Sequence, residues 1–384
     1  MGEGGNIYVT GYTYGQLGGA RHGNSDGIVL KIHGGEIAWI KQFGSAGADW
    51  PHAVAVGADG TVAIVGTTEG TLPGQRSFGG KDAFLVLYGS NGSGPRYYQF
   101  GTSRNDYAYA VAIDGSGNIY VAGHTWGALN GQRNLGNEDA YVMKLNRSLS
   151  VVWTRQFGSS DGDFVGIGAL RLIEDKVFLA GHTNGLISAA RESHMKGGQG
   201  DAYIARIDAA DGAIDWLHQY GTDGNDYAFS LAADHSGAYA AGYTTGTFSD
   251  FGNERQGGDD AYVIKYSLSG QLLWVRQFGT AMNDHIWDLA LVGEEGVIAV
   301  GDSNGNLPHH VGAKDAMIQF LGARNGELHL AFAEGDNGID IARGVVVDPS
   351  TCSIGIVGWF ESEGQPSNDK DLFLFTFEVR GVVQ

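Results

Sequence analysis

Short segments in which hydrophobic and polar residues alternate recur along the whole chain. Residues 106–158 illustrate the pattern with the segments DYAYAVAI, NIYVAGHT, DAYVMKL and VVWTRQFG. Such segments run for roughly five to eight residues and end at Gly, Asn, Asp or Ser, which is typical of β-strands joined by turns. No segment shows a convincing helical period, so helix is expected to be nearly absent.

This four-segment unit repeats along the chain, and a glycine after a hydrophobic run is its clearest landmark. The landmark glycines are Gly11, Gly66, Gly123, Gly181, Gly242, Gly301 and Gly358. A period of about 57 residues with four strands per unit is typical of propeller blades. The sequence therefore predicts an all-β fold, a seven-bladed β-propeller with four-stranded antiparallel blades, in which residues 1–384 form a single domain.

We name the four strands of each unit A, B, C and D in chain order. Aspartates recur just before strands A and C, and the motif Trp-x-x-Gln-(Phe/Tyr)-Gly marks strand D. The chain begins at strand B of the first unit and ends shortly after strand C of the seventh, so the terminal blades are expected to be incomplete. Three explanations remain open: a trimmed longer array, strands supplied by a partner or by self-association of the terminal blades, or the tail RGVVQ acting as a last strand D.

These motifs resemble the bacterial seven-bladed β-propeller repeat family (SBBP-type repeats). The shared pattern is Gly-Asn-Ile-Tyr-Val-Ala-Gly-x-Thr, then Asp-Ala-(Tyr/Phe)-Val-x-Lys, then Trp-x-x-Gln-Phe-Gly, and it spans essentially the whole chain. The resemblance implies a module of a secreted or surface protein, so an extracellular or cell-surface location is expected. By analogy with WD-repeat propellers, strand A is expected to be the inner strand and strand D the outer one.

Charge excludes several classes of partner. Lys and Arg total 24 against 43 Asp and Glu, which gives a net charge of −19. Such a field repels phosphate backbones and anionic lipids, so neither nucleic-acid binding nor membrane-surface binding is expected. No stretch approaches the ~20 consecutive apolar residues that a membrane span needs, so membrane insertion is not expected either. The single Cys352 cannot form an intramolecular disulfide. The first residues, MGEGGNIYVTG, lack the basic and apolar regions of a signal peptide, so the protein is either cytoplasmic or numbered from after a removed signal.

Loop length separates the two sides of the predicted blades. The A–B and C–D links are tight turns, whereas the B–C links are long and carry most of the sequence variety. Variable loops on a rigid scaffold commonly carry binding residues, so the side that bears the B–C loops is predicted to be functional. Four tryptophans that depart from the repeat position, Trp50, Trp126, Trp287 and Trp359, fall on that side.

The candidate ligand-binding residues are aromatic, imidazole and guanidinium side chains at these strand ends. They are Trp50, His52, Tyr109, His124, Trp126, His182, Tyr243, Trp287, Arg343 and Trp359. Rigid amphipathic rings make good contact surfaces for sugars and proteins. The alternative interpretation is that the rings fill the wedge between neighbouring blades. No histidine spacing typical of a metal site is present, and neither a metal nor a cofactor is expected.

The recurring aspartates are expected to be structural, because a short carboxylate before a strand accepts backbone N–H groups and holds the turn. The sixth unit breaks this pattern with Asp288 and Asp302, close to His285 and Trp287. Paired carboxylates can support glycoside hydrolysis, so Asp288, Asp302 and His285 are the catalytic candidates if the protein is an enzyme.

Three functions follow from this sequence, and the first is favoured. It is a non-catalytic recognition module that binds a glycan or a protein through the B–C side. The second is a hydrolase or lyase that acts on polysaccharide. The third is a structural spacer within a larger repeat protein, because a fold does not determine a function.

Overall fold

The chain folds as a seven-bladed β-propeller, as predicted. The computed structural model describes residues 5–188, 192–194, 200–311, 313–348, 353–361 and 371–378. Within these residues 27 strands form seven sheets, and the two helical segments are single 3-10 turns at Leu129–Gly131 and Ser249–Phe251. The expectation that helix is nearly absent is therefore confirmed for the described residues.

The first three blades hold eleven strands. Blade one contains β1 (Ile7–Thr13), β2 (Asp26–His33) and β3 (Glu36–Phe43). Blade two contains β4 (Asp49–Val56), β5 (Val62–Thr68), β6 (Asp82–Tyr88) and β7 (Arg96–Phe100). Blade three contains β8 (Asp106–Ile113), β9 (Ile119–Thr125), β10 (Asp139–Leu145) and β11 (Val151–Phe157).

The last four blades follow the same order. Blade four contains β12 (Asp163–Ile173), β13 (Lys176–Thr183), β14 (Glu192–His194), β15 (Asp201–Asp208) and β16 (Ile214–Tyr220). Blade five contains β17 (Asp226–Asp234), β18 (Gly237–Thr244), β19 (Asp260–Tyr266) and β20 (Leu272–Phe278). Blade six contains β21 (Asp284–Val292), β22 (Gly296–Ser303), β23 (Asp315–Gly322) and β24 (Leu328–Glu334). Blade seven contains β25 (Ile339–Val347), β26 (Ser353–Glu361) and β27 (Asp371–Glu378).

Strands A to D are neighbours in chain order within each sheet, and A and D are the sheet edges in blades two, three, five and six. Blade four carries one additional short strand, β14, which pairs parallel to its strand D. Blade one has no strand A and blade seven has no strand D among the described residues, as the repeat predicts. The tail RGVVQ and Cys352 lie outside the described residues.

The described chain separates into two compact units. Unit 1 comprises Met1–Leu179, Thr183–Ala189 and Arg206–Asp215, and unit 2 comprises Ala180–His182, Ala190–Ala205 and Trp216–Gln384. In each unit the hydrophobic core lies between neighbouring sheets. Blades two and three share one such cluster in unit 1, and blades five and six share another in unit 2.

The repeated tryptophans of strand D join neighbouring blades, which is the packing role that their repeat position predicts. In unit 1 the indole N–H of Trp153 donates to the carbonyl of Ala209 at 3.1 Å. The turn that follows Ala209 approaches the ring so closely that a Cβ on Gly212, whose φ is +74°, would lie 2.7 Å from the Trp153 ring. Trp216 in unit 2 repeats the arrangement and donates to the carbonyl of Leu268 at 3.2 Å.

In blades two to six the start of the B–C loop meets the connection that leads into strand A, so both lie on one side of their unit. The amide of Glu69 donates to the carbonyl of Ala48 at 2.9 Å in unit 1. In unit 2 the amide of Asn304 donates to the carbonyl of Asn283 at 3.0 Å.

In the described residues no helix has the length and hydropathy needed to cross a membrane.

Candidate functional site

The B–C loops are held by a repeated pair of side chains. In blade five the amide of Gln277 on β20 donates to Asp260 at 2.7 Å and to the carbonyl of Gly246 at 3.0 Å, while its oxygen accepts the N–H of Phe248 at 2.9 Å. Blades one, two and three repeat this arrangement with their own glutamines. A variable loop is thus attached to the sheet by a constant buried contact, whatever its sequence.

The aspartates that open strand A are structural as well. Asp226 accepts the N–H of Thr222 at 2.7 Å and its hydroxyl at 3.1 Å, and it is fully buried. Burial raises the pKa of Asp226 to about 7, although its hydrogen bonds act in the opposite direction. These carboxylates hold the D–A connection against strand A.

A β-bulge in strand A turns one side chain out of the ladder at the same place in five blades. The register between strands A and B shifts by one residue at this point in blades two, three, five, six and seven. The bulged residues are His52, Tyr109, Phe229, Trp287 and Arg343. Bulges commonly re-aim side chains next to binding sites. The sequence predicted four of these five residues as ligand contacts without revealing the bulge that they share.

In unit 1 the predicted residues form a packed row of rings. The ring centroids of His52 and Tyr109 are 4.5 Å apart, and those of Tyr109 and His124 are 5.2 Å apart. His52 also lies 3.3 Å from the hydroxyl of Thr67. Desolvation lowers the pKa of His52 to about 4, which keeps the ring neutral and favours a packing role.

The two predicted tryptophans of unit 1 differ in exposure. Trp50 is half-buried, and the ammonium of Lys81 lies 4.6 Å from its ring centroid. Trp126 is 38% exposed at the start of a B–C loop, where its backbone N–H donates to the carbonyl of Asn105 at 2.9 Å. Trp126 therefore has a fixed backbone and an open indole ring, whereas Trp50 is covered by a cation.

In unit 2 a second row of rings leads to the sixth blade. His182 lies 4.8 Å from Tyr227, and Tyr227 lies 5.0 Å from Tyr243. Tyr243 lies 4.5 Å from His285, measured between ring centroids. Desolvation lowers the pKa of His182 to about 4, and burial raises the pKa of Tyr243 to about 12. Both groups are therefore neutral at physiological pH.

Asp302 is the centre of a charged cluster at the end of this row. The carboxylate is buried and accepts the N–H of Trp287, the ammonium of Lys314 at 2.8 Å and Nδ1 of His285, which lies 3.1 Å away. Nε2 of His285 lies 3.1 Å from the second carboxylate, Asp259. The sequence predicted that Asp302, His285 and Trp287 would be neighbours, and the structure brings them together.

The electrostatics of this cluster follow from its contacts. Burial opposes ionisation of Asp302, but the bonds from His285, Lys314 and Trp287 outweigh it and lower the pKa of Asp302 to about 2. Burial also opposes protonation of His285, but Asp302 and Asp259 outweigh it and raise the pKa of His285 above its usual value. The cluster therefore favours an ionised carboxylate beside a protonated imidazole.

Asp288, the other carboxylate that departs from the repeat, joins three neighbouring strands A. Its Oδ1 accepts the hydroxyl of Ser230 on β17 at 2.8 Å, and its Oδ2 accepts the N–H of Val345 on β25 at 2.9 Å. The amide of Leu289 donates to Ser230 at 3.0 Å as well. These bonds give Asp288 a structural role, linking strands at the position where the other blades carry small or aliphatic residues.

Arg343 and Trp359 complete the predicted set in blade seven. Arg343 is exposed, and its guanidinium carbon lies 4.2 Å from the ring centroid of Trp287. Trp359 is half-buried in β26, opposite Ile341 on one side and Leu372 on the other. Arg343 thus belongs to the sixth-blade cluster, whereas Trp359 is placed within its own sheet.

The B–C loop of blade six departs from the repeated loop attachment. Where blades one to five carry the glutamine, blade six has Ala333, whose N–H donates to the carbonyl of Pro308 at 2.8 Å. Nδ1 of His310, from the loop itself, lies 3.0 Å from the strand C carboxylate of Asp315. The same loop ends at Lys314, so the sixth blade differs from the others in its loop as well as in its strands.

Sequence reasoning missed Asp259, Lys314 and Phe229 in this cluster. Asp259 and Lys314 each directly precede the aspartate of strand C, and Lys81 occupies the same position in blade two. A charged residue directly before the strand C aspartate, next to the strand ends that carry the rings, was the signal that would have identified Asp259 and Lys314. Phe229 could have been found from its place three residues after the strand A aspartate.

Comparison with known proteins supports the fold and leaves the function open. The family model described as a beta-propeller repeat (SBBP) matches residues 98–129, from strand D of blade two through strand B of blade three. The regulatory protein FlaEY of Caulobacter vibrioides is 27% identical over 273 residues, which is 62% of this chain and 28% of that protein. The chain thus spans little more than a quarter of the length of this curated relative.

Similar solved structures are distant. The neuraminidase-like N10 protein of A/little yellow-shouldered bat/Guatemala/060/2010 has a TM-score of 0.44 and 10% identity, covering 85% of this chain and 95% of that one. The β-propeller domain of the trilobed protease from Pyrococcus furiosus has a TM-score of 0.46 and 10% identity, covering 85% and 81%. Similarity at this level carries no argument about function. From the repeat match and the blades together, this chain is a seven-bladed β-propeller that carries the SBBP beta-propeller repeat at residues 98–129.

Proposed function

We propose that this propeller is a non-catalytic recognition module that binds a glycan through its B–C side. The observation that carries the proposal is the exposure of large hydrophobic side chains by the B–C loops. In unit 1 these residues are Tyr12, Tyr14, Leu17, Trp126, Leu135 and Leu186. Exposed apolar side chains gathered on one side of a scaffold can mark a binding surface.

Most other exposed large hydrophobic residues follow the repeat. They lie at the start of strand D, at the position of the repeated tryptophan or within two residues before it. They are Ile37, Val151, Val152, Leu273, Leu328 and Leu330. Because they recur at equivalent positions, they belong to the blade scaffold, and the loop residues stand apart from them.

The open aromatic rings favour a sugar ligand. Trp126 is rigid and amphipathic, and Tyr12 and Tyr14 form an exposed edge-to-face pair with ring centroids 5.8 Å apart. Such rings offer flat apolar faces beside polar tips, and they lose little conformational entropy when a ligand binds. The apolar faces and hydroxyl edges of a sugar match this combination. A glycan-binding role also fits the extracellular or cell-surface location that we propose for the protein.

The sixth-blade cluster supports binding better than hydrolysis. A glycosidase needs a carboxylic acid whose pKa is raised, so that it can protonate the leaving group. The low pKa of Asp302, about 2, keeps that carboxyl ionised. Both oxygens of Asp288 accept hydrogen bonds that join strands. Neither group is therefore prepared to act as a general acid.

A glycan array probed with three forms of the full chain tests the proposal. We expect the wild-type chain to bind a defined set of glycans, and Trp126→Ala to weaken that binding about tenfold or more, because an exposed aromatic anchor is removed. The matched control is Ile37→Ala, which removes another exposed hydrophobic side chain from the start of strand D. It should bind like the wild type.

All three forms should melt at similar temperatures, because both substituted residues are exposed. Retention of full glycan binding by Trp126→Ala would move the site away from the B–C loop of blade three. An array without any hit, together with capture of a protein ligand that Trp126→Ala abolishes, would replace the glycan with a protein partner on the same side.

A further inference from the structure

We infer that Arg343, supported by Trp287, forms a site within unit 2 for the carboxylate group of an acidic sugar. This inference rests on the proposed glycan-binding function and adds the chemical class of the ligand. The residue type at the bulge of strand A differs between the blades. The bulge of strand A presents a ring in four blades and a guanidinium in blade seven.

The guanidinium of Arg343 has no acceptor of its own in the described part of the chain. No hydrogen bond or ion pair with another described residue engages it, and it is exposed. Its Cζ lies over the face of Trp287, 4.2 Å from the ring centroid. Stacking by the face leaves the five N–H donors around the edge of the group available to a ligand.

The carboxylates of the cluster are already matched by other cations. Asp302 accepts the ammonium of Lys314 at 2.8 Å and contacts His285, and Asp259 contacts the other nitrogen of His285. Lys314 and His285 therefore contact these carboxylates directly, whereas Arg343 interacts with Asp302 only through charge at longer range and keeps its donors for a ligand. A guanidinium that rests on an aromatic face, with no described hydrogen-bond acceptor, offers its donors to an anionic ligand group.

Trp287 acts as a positioning residue for Arg343. Its ring lies between Arg343 and Phe229, whose ring centroid is 4.8 Å away, and its N–H is bound to Asp302. The ring is therefore held on its edge and packed against Phe229 and Arg343. A guanidinium that rests on a fixed surface is pre-organised to form two parallel hydrogen bonds with a planar carboxylate.

Binding of two matched ligands tests the inference. Oligogalacturonate carries a carboxylate on every sugar, and its methyl ester of the same length is neutral. We expect the wild-type chain to bind the acid at least about tenfold more tightly than the ester, measured by titration calorimetry with the full chain. Arg343→Gln should remove that preference, and Arg343→Lys should restore part of it, because a lysine keeps the charge without the fork of donors.

Arg255→Gln is the matched control. Arg255 is another exposed arginine of unit 2, and it lies on the B–C loop of blade five. Its donors bond the carbonyls of Gly257 and Gly258 at 2.9 and 3.1 Å. Its substitution should leave the preference for the acid unchanged. Trp287→Phe, which keeps an aromatic ring but loses the bond to Asp302, should give an affinity between those of the wild type and Arg343→Gln.

Each contrary result has a distinct meaning. If Arg343→Gln binds the acid as the wild type does while Trp126→Ala abolishes glycan binding, the carboxylate subsite is wrong and the proposed function stands. If no acidic or neutral glycan binds the wild type, both fail. Arg343-dependent binding of sulfated dextran without binding of oligogalacturonate would replace the carboxylate with a sulfate. Equal, Arg343-dependent binding of hexaglutamate would overturn the sugar and indicate an acidic peptide.

Discussion

Two buried aspartates at different positions of this repeat have pKa values that are shifted in opposite directions. Asp226 is buried against a hydroxyl and an amide, and burial raises its pKa to about 7. Asp302 is buried equally well, yet its pKa is lowered to about 2, because a lysine, a histidine and an indole N–H surround it. The repeat position of each residue predicted which of them would be structural, but the partners that set the charge of Asp302 come from other strands and a loop.

Removal of the Asp302 charge should lower the pKa of His285. We expect the His285 ring to titrate above the ordinary value near 6.5 in the wild type, and lower in Asp302→Asn, because the larger of its two carboxylate contacts is lost. Nuclear magnetic resonance titration of labelled histidines measures this directly. Asp223→Asn, which removes an exposed carboxylate of unit 2, is the control and should leave the His285 titration in place.

The raised pKa of His285 and the lowered pKa of Asp302 determine how the stability of the protein depends on pH. A raised histidine pKa contributes stability that is fully present below about pH 6.5 and is lost as the pH rises through the folded value. A lowered aspartate pKa contributes stability that is present above about pH 4 and is lost as the pH falls toward 2. The destabilisation of Asp302→Asn should therefore be greatest between about pH 4 and 6.5. A wild-type His285 that titrates below 6.5 would contradict this account.

At the scale of the strand and loop, two repeated features separate the constant blade scaffold from the variable side chains of the B–C side. The glutamine of strand D attaches the long loop in blades one to five through buried bonds, and the bulge of strand A turns one side chain out of the ladder. The glutamine motif was visible in the sequence because it repeats. The bulge was not, because one unpaired residue leaves the alternation of a short strand almost unchanged. For that reason Phe229 escaped prediction.

Gln277→Ala should destabilise unit 2 by about 2–4 kcal/mol, because it leaves the carboxylate of Asp260, the N–H of Phe248 and the carbonyl of Gly246 without their buried partner. Urea unfolding measures the loss. Gln256→Ala, at an exposed glutamine of the same unit, should change the stability by less than about 0.5 kcal/mol. Equal stability of the two variants would show that the loop does not depend on this contact.

At the scale of the molecule, repetition made the fold predictable and left the site uncertain. Seven landmark glycines predicted seven blades, and the structure has seven sheets with strands in the expected order. Residues that depart from the repeat predicted that His285, Asp302 and Trp287 are neighbours in the sixth blade, and the structure brings them together. Their exposure could not be read from the sequence, because it depends on neighbouring strands, and several predicted contacts are packed rings. The prediction of one domain over residues 1–384 stays a prediction.

The most direct test of glycan recognition on the B–C side is hydroxyl-radical footprinting of the full chain with and without a glycan selected on the array. We predict that the glycan reduces oxidation of Trp126 and Tyr14, which are exposed on the B–C loops of unit 1, and leaves Ile37 and Leu273 at the starts of strands D as reactive as before. Protection confined to Ile37 and Leu273, with Trp126 and Tyr14 unchanged, would contradict the account.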